Sequence, residues 1–160
     1  MTKVSDEKLV HIHIEQDPTK SISPERQHEQ HVAVYDLLDE NQFAVTGAQG
    51  PYQLFLRTDL RHIHFDVRDS TQTALSGFVM ALGPFRRIMR DYHLVCNSYY
   101  EAIRTKTPSQ IQAIDMGRRG LHNEGAELLM QRLSNYVQVD GPTSRRLFTL
   151  IYVMTSKEER

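Results

Sequence analysis

Apolar and polar residues alternate strictly over Leu9–Ile14, LVHIHI, which is the period of a half-buried strand. The same alternation returns over Tyr52–Arg57 and His62–Val67, with Thr58–Arg61 between them, and predicts an antiparallel pair. Thr73–Leu82 predicts a further strand, set off by Asp69–Gln72. Ser23 and Pro24 open a helix running to about Asn41, with Val34, Leu37 and Leu38 as its inward residues. Thr46–Pro51, with Gly47 and Gly50, reads as a turn region.

After Gly83 the period changes to 3.6. Phe85, Ile88, Met89, Tyr92, Val95, Cys96, Tyr99 and Ile103 form one stripe, and Arg86, Arg90, Asn97, Glu101 and Arg104 lie opposite. A second long helix begins at Thr107, where TPSQ is a capping box with proline at the first helical position. Its stripe is Ile111, Ile114, Leu121, Gly125, Leu129 and Leu133, and Gly117–Gly120 marks a place where it could break. Tyr136–Asp140 is expected to be a short strand. Thr143 or Ser144 then caps a last helix through Met154, apolar nearly all round, so that the segment is either buried or a strand in place of the favoured helix. The fold expected is α+β, a small antiparallel sheet from the N-terminal half packed against a C-terminal helical half. It forms a single domain over 1–160, with frayed tails at 1–8 and 156–160.

The second long helix carries an anomaly. Asp115, Arg118 and His122 fall on or beside its apolar stripe, with Arg119 at the edge. A buried guanidinium must be paired, since an unpaired buried charge is far too unfavourable. The cluster is therefore a structural network, or a partly buried pocket in which Arg118 or Arg119 holds an anion. In the pocket reading Asn123 stands beside it, and His122 or Glu124 moves a proton. On an unbroken helix Glu124 faces away from His122, so a catalytic pairing of the two requires the glycine break.

Charge is distributed unevenly. The net charge is −1, but residues 1–83 hold seven Lys/Arg against twelve Asp/Glu, and residues 84–160 hold twelve against eight. Arg86-Arg87, Arg118-Arg119 and Arg145-Arg146 make three pairs in the basic half. The first and third are expected in the first turn of a helix, where they oppose the macrodipole unless local carboxylates or a docked anion compensate. A pI of about 6.7 speaks against a dedicated nucleic-acid binder, leaving RNA the weaker partner.

The histidine repeats HIHIE (11–15) and HIHFD (62–66) could converge on a metal only if their strands were neighbours. No pair has a zinc spacing, and their alternate positions are apolar, so they read as the solvent face. His28 and His31 carry no stronger signal. The single cysteine, Cys96, sits on a buried stripe, excludes an internal disulfide and suits a reducing cytoplasm. No phosphate loop, dinucleotide fingerprint or nucleophile elbow is present, so no cofactor is indicated. No apolar run approaches the roughly 18 residues of a membrane span.

The stretches PFRRIMRDY, SYYEAIRTKTPSQIQAIDMGRRGLHNEG and RRLFTLI resemble a bacterial protein family, number 0262 of the "UPF" series. YDLLDENQFA and GPYQL fit it as well. The likeness covers most of residues 29–154, and DMGRRGLHNEG is its most specific piece. It implies a small bacterial cytoplasmic protein and no particular chemistry.

Three functions stay open. One is a non-catalytic domain binding an anion, such as a phosphate-bearing small molecule or nucleotide, through Arg118 and Arg119 with Arg86, Arg87, Arg145 and Arg146. Another is a hydrolase or phosphoryl-transfer enzyme using Arg118, Arg119, His122 and Glu124. The third is a homo-oligomer formed through Tyr92, Tyr99 and Tyr100 or the last helix.

Overall fold

The computed structural model describes residues 6–15 and 22–155. Four strands, β1 (Leu9–Ile14), β3 (Tyr52–Thr58), β4 (His62–Arg68) and β5 (Ala74–Ala81), form one sheet in the order β1-β3-β4-β5. β2 (Phe43–Val45) pairs with β6 (Val137–Val139) in a separate antiparallel ribbon. The helices are α1 (Pro24–Asp39), α2 (Arg86–Thr105), α3 (Pro108–Leu133) and α4 (Gly141–Thr155). The α+β class stands. The sheet is mixed rather than wholly antiparallel, because α1 carries the chain back so that β1 runs parallel to β3.

Alternation decides the faces of the sheet. Leu54, Leu56, Ile63, Phe65, Val67, Phe78 and Met80 are buried on one side and join a single apolar cluster with the helices. Phe78 lies between Phe65, at 4.7 Å, and Tyr136, at 4.2 Å, so a stack of three rings ties the sheet to the chain entering β6. The histidines are on the other side. β3 separates β1 from β4; His11 and His13 flank Phe55, and His64 bonds Asp59 at 2.9 Å. Among the described residues no group of three or more His, Cys, Asp or Glu could hold a metal ion.

Residues 7 and 8 are tied to neighbouring strands by backbone hydrogen bonds. Glu7 O accepts from Phe43 N at 2.9 Å and Lys8 O from Tyr52 N at 2.9 Å. Residues 1–5 and 156–160 lie outside the described residues. Asn41 then completes the edge of β1. Its Oδ1 accepts from Leu9 N at 2.7 Å, and its Nδ2 donates to Leu9 O and Leu37 O at 3.0 and 2.7 Å. One side-chain amide thus serves as a strand partner and satisfies a carbonyl near the end of α1.

Local signals account for most helix boundaries. Ser23 Oγ accepts from Arg26 N, and the Thr107–Gln110 capping box is complete. α4 differs. Its cap is Asp140, whose Oδ1 accepts from Thr143 N at 2.9 Å, while Thr143 and Ser144 are inside the helix and fully buried. Thr143 Oγ1 accepts from Gln42 N, and Ser144 Oγ donates to Ala126 O, so both hydroxyls join elements instead of capping. α1 buries Gln30, Ala33 and Leu37; Leu38 is exposed and Val34 only half-buried, because α4 lies against a neighbouring face of the helix.

α3 is continuous through Gly117–Gly120. Only its second half is core: Gly125, Ala126, Leu129 and Leu133 are buried, whereas Ile111, Ile114 and Leu121 are half-buried. Gly125 lets α4 come close, since a β-carbon there would run into the ring of Phe148. Among the described residues no helix is long and apolar enough to cross a membrane.

Candidate functional site

A cleft of about 570 Å³ opens where α1, α2, α3 and α4 meet. That size lies within the range of small-molecule sites. α1 lines it with His28, Glu29, Val32, Ala33 and Asp36; α2 contributes Tyr92, Cys96 and Tyr100. α3 brings Arg118, Arg119, His122 and Asn123, and α4 brings Arg145, Arg146 and Thr149. The polar anomaly of α3 is explained by this placement: its stripe faces a solvent-reachable groove above the core, not the core itself.

Asp115 anchors the basic wall. Its Oδ1 accepts from Arg118 Nε at 3.0 Å and again from Nη2, while Oδ2 pairs with Arg119 Nη2 at 2.7 Å. The hydrogen bonds from Arg118 hold its carboxyl below the usual aspartate range. Arg118 is fixed further by Tyr99, whose ring centroid lies 4.8 Å from its guanidinium carbon. Arg119 reaches out, its side chain 73% exposed. Arg146 donates to Glu40 O at 3.1 Å. The Arg145 side chain has no hydrogen bond or ion pair among the described residues.

The floor is aromatic. His122 packs edge-on against Phe148 and tilted against Tyr92, each at 5.4 Å between ring centres, with Nε2 2.8 Å from Thr149 Oγ1. Burial, helped by the charges of Arg118 and Arg145, pushes the imidazole down to about 4, so it is neutral at physiological pH. Burial also pushes up the Tyr92 hydroxyl and the Cys96 thiol. Cys96 is thereby kept as a thiol, a poor nucleophile. On the α1 side Glu29 accepts from Tyr100 OH at 3.0 Å, and burial together with the Glu29 charge raises that hydroxyl's pKa.

Of the residues singled out in the sequence, Arg118, Arg119, His122, Asn123, Arg145 and Arg146 meet at the cleft, with Asp115 behind them. Arg86, Arg87 and Glu124 do not line it. Arg86 donates to Leu60 O at 2.9 Å, and Arg87 pairs with Glu124 at 3.5 Å. Because α3 does not break, Glu124 points away from His122 and the two form no catalytic pair. No anion could meet Arg118 or Arg119 at a helix start either. They lie mid-helix, and Arg145 and Arg146 stand beyond the first turn of α4. Side chains, not helix N–H groups, make this a basic wall.

Sequence reasoning missed the α1 wall. His28, Val32 and Asp36 recur every fourth residue, a mixed stripe that is neither core nor fully solvated. That spacing was the available signal. Tyr92 and Cys96 are buried as expected, but at the floor of an opening.

Over residues 6–157 the chain matches the "Uncharacterised protein family (UPF0262)". A UPF0262 protein of Hyphomonas neptunium is 46% identical over 154 residues, covering 96% of this chain and 95% of the relative. One from Rhodospirillum rubrum is 50% identical over 134 residues, covering 84% and 83%. Another from Agrobacterium fabrum is 49% identical over 133 residues, covering 82% and 85%. No solved structure matches the chain. A match over nearly the whole length, with identities this high, means that the chain belongs to the bacterial family UPF0262.

Proposed function

We propose that the four-helix cleft binds a small anionic ligand, a phosphate-bearing molecule or nucleotide, without catalysing a reaction on it. The observation that carries the reading is Arg145, a guanidinium at the cleft with no hydrogen bond or ion pair among the described residues. Arg119 stands at the same opening with most of its side chain in solvent. Guanidinium forks in a cleft are suited to phosphate oxygens, which they bind by paired charge-assisted hydrogen bonds.

The hydrolase reading is weaker, since Glu124 stands outside the cleft and the Nε2 of His122 is engaged with Thr149. Self-association through the last helix is weaker too, because Leu147, Phe148, Leu150, Ile151, Tyr152 and Val153 are buried. RNA is disfavoured by the near-neutral charge. A reducing cytoplasm suits a chain with one cysteine.

Titration calorimetry with inorganic phosphate, pyrophosphate and nucleoside monophosphates at low and high salt tests the reading. Saturable binding that weakens with salt, and by about tenfold in Arg145→Ala, is expected. Absence of heat with every probe, or affinity unaltered in both Arg145→Ala and Arg119→Ala, would refute it.

A further inference from the structure

The two sides of the cleft carry opposite charge. Asp115 answers Arg118 and Arg119 together, so one carboxylate serves two guanidiniums. Arg146 bonds only a neutral carbonyl and Arg145 has no polar partner among the described residues, which leaves the α3–α4 wall in excess of positive charge. Facing it, Asp36 makes no side-chain hydrogen bond or ion pair among the described residues, and Glu29 accepts only from the Tyr100 hydroxyl. Among the described residues no ion pair within 4 Å bridges the two walls. Opposite charges on facing walls set up a field across the gap that an occupant would feel along its length. A ligand bearing only negative charge gains on one wall and is repelled by the other. One with an anion at one end and protonated N–H donors at the other gains on both.

The geometry points to a dipolar ligand, its anionic group held by Arg119 and Arg145 and its ammonium or amidinium-like group by Asp36 and Glu29. This rests on the anion-binding reading above and specifies the other end of the same molecule. Val32, Ala33 and Tyr92 offer an apolar bed for the stem between the charged ends. Specificity comes from the repulsive wall as much as from the attractive one, because Asp36 penalises a second anion at the position where it would welcome an amine.

Matched pairs of ω-aminoalkyl phosphates and α,ω-alkane bisphosphates over a graded series of chain lengths separate the two claims, with inorganic phosphate as reference. At the best-fitting length the amino compound should bind about three- to tenfold more tightly than the bisphosphate. Asp36→Asn should erase that preference and leave the affinity for inorganic phosphate intact or higher, and Arg145→Ala should weaken all three. Bisphosphates binding as well as their amino partners, or a preference that survives in both Asp36→Asn and Glu29→Gln, would overturn the dipolar assignment while leaving anion binding standing. If neither inorganic phosphate nor any of the phosphate compounds binds, both claims fall.

Discussion

Thr149 Oγ1 lies 2.8 Å from His122 Nε2 and 3.2 Å from the carbonyl oxygen of Arg145. A hydroxyl has one proton, which serves either the imidazole or the carbonyl according to the tautomer of His122. The contact ties α3 to α4 directly beneath the arginines and makes the ring part of the floor.

A pH dependence follows. The folded imidazole is held at about 4 against an ordinary value of 6.5, so the unfolded chain binds the extra proton between those limits. Stability should be fully present above about pH 6.5 and fall as the pH drops toward 4, by on the order of 2 kcal/mol after allowing for partial exposure. Asp59, Asp69 and Asp115, held below the usual range, act lower still, as the pH falls below about 4. Urea unfolding at several pH values, compared with His122→Gln, measures the contribution. A parallel pH profile in the variant would contradict it.

Asp115→Asn should separate stability from binding. The neutral amide releases two guanidiniums toward the cleft, so phosphate affinity should rise as thermal stability falls. Calorimetry and a melting curve on the same preparation read both effects.

Gly125→Ala should destabilise the domain despite alanine's higher helix propensity. The added methyl meets the ring of Phe148, and overpacking of this kind costs about 1–3 kcal/mol, more than the roughly 1 kcal/mol gained in propensity. Pairing it with Phe148→Leu should recover part of the loss in denaturant midpoint, since the smaller side chain makes room.

Asn41→Ala removes all three hydrogen bonds that join β1 to the end of α1. A loss of about 2 kcal/mol is expected. Amide exchange should quicken first at Leu9, whose N–H loses its acceptor.

Every strand but β2, the caps at Ser23 and Thr107, and the stripe of α2 as far as Tyr99 were legible in the chain, because period and capping chemistry act over a few neighbouring residues. Ile103, expected on that stripe, is exposed. The odd polar trio on α3 was equally visible. Its meaning was not, because helical spacing says which residues share a face and nothing about what stands across from it. The break proposed at Gly117–Gly120 failed for a related reason: those glycines are exposed, and the hydrogen-bonded helix runs through them at modest penalty.

Local sequence by itself therefore determined the α+β class, most element boundaries and the arginine enrichment of the second half. Only tertiary packing decided that α1 would stand opposite α3 and α4, that Asp115 would hold two arginines while Arg145 found no partner, and that Glu124 would pair with Arg87 outside the cleft. Pairings of that sort depend on distances between segments far apart in the chain. Those distances are set by how apolar faces bury one another, which no short window of residues contains.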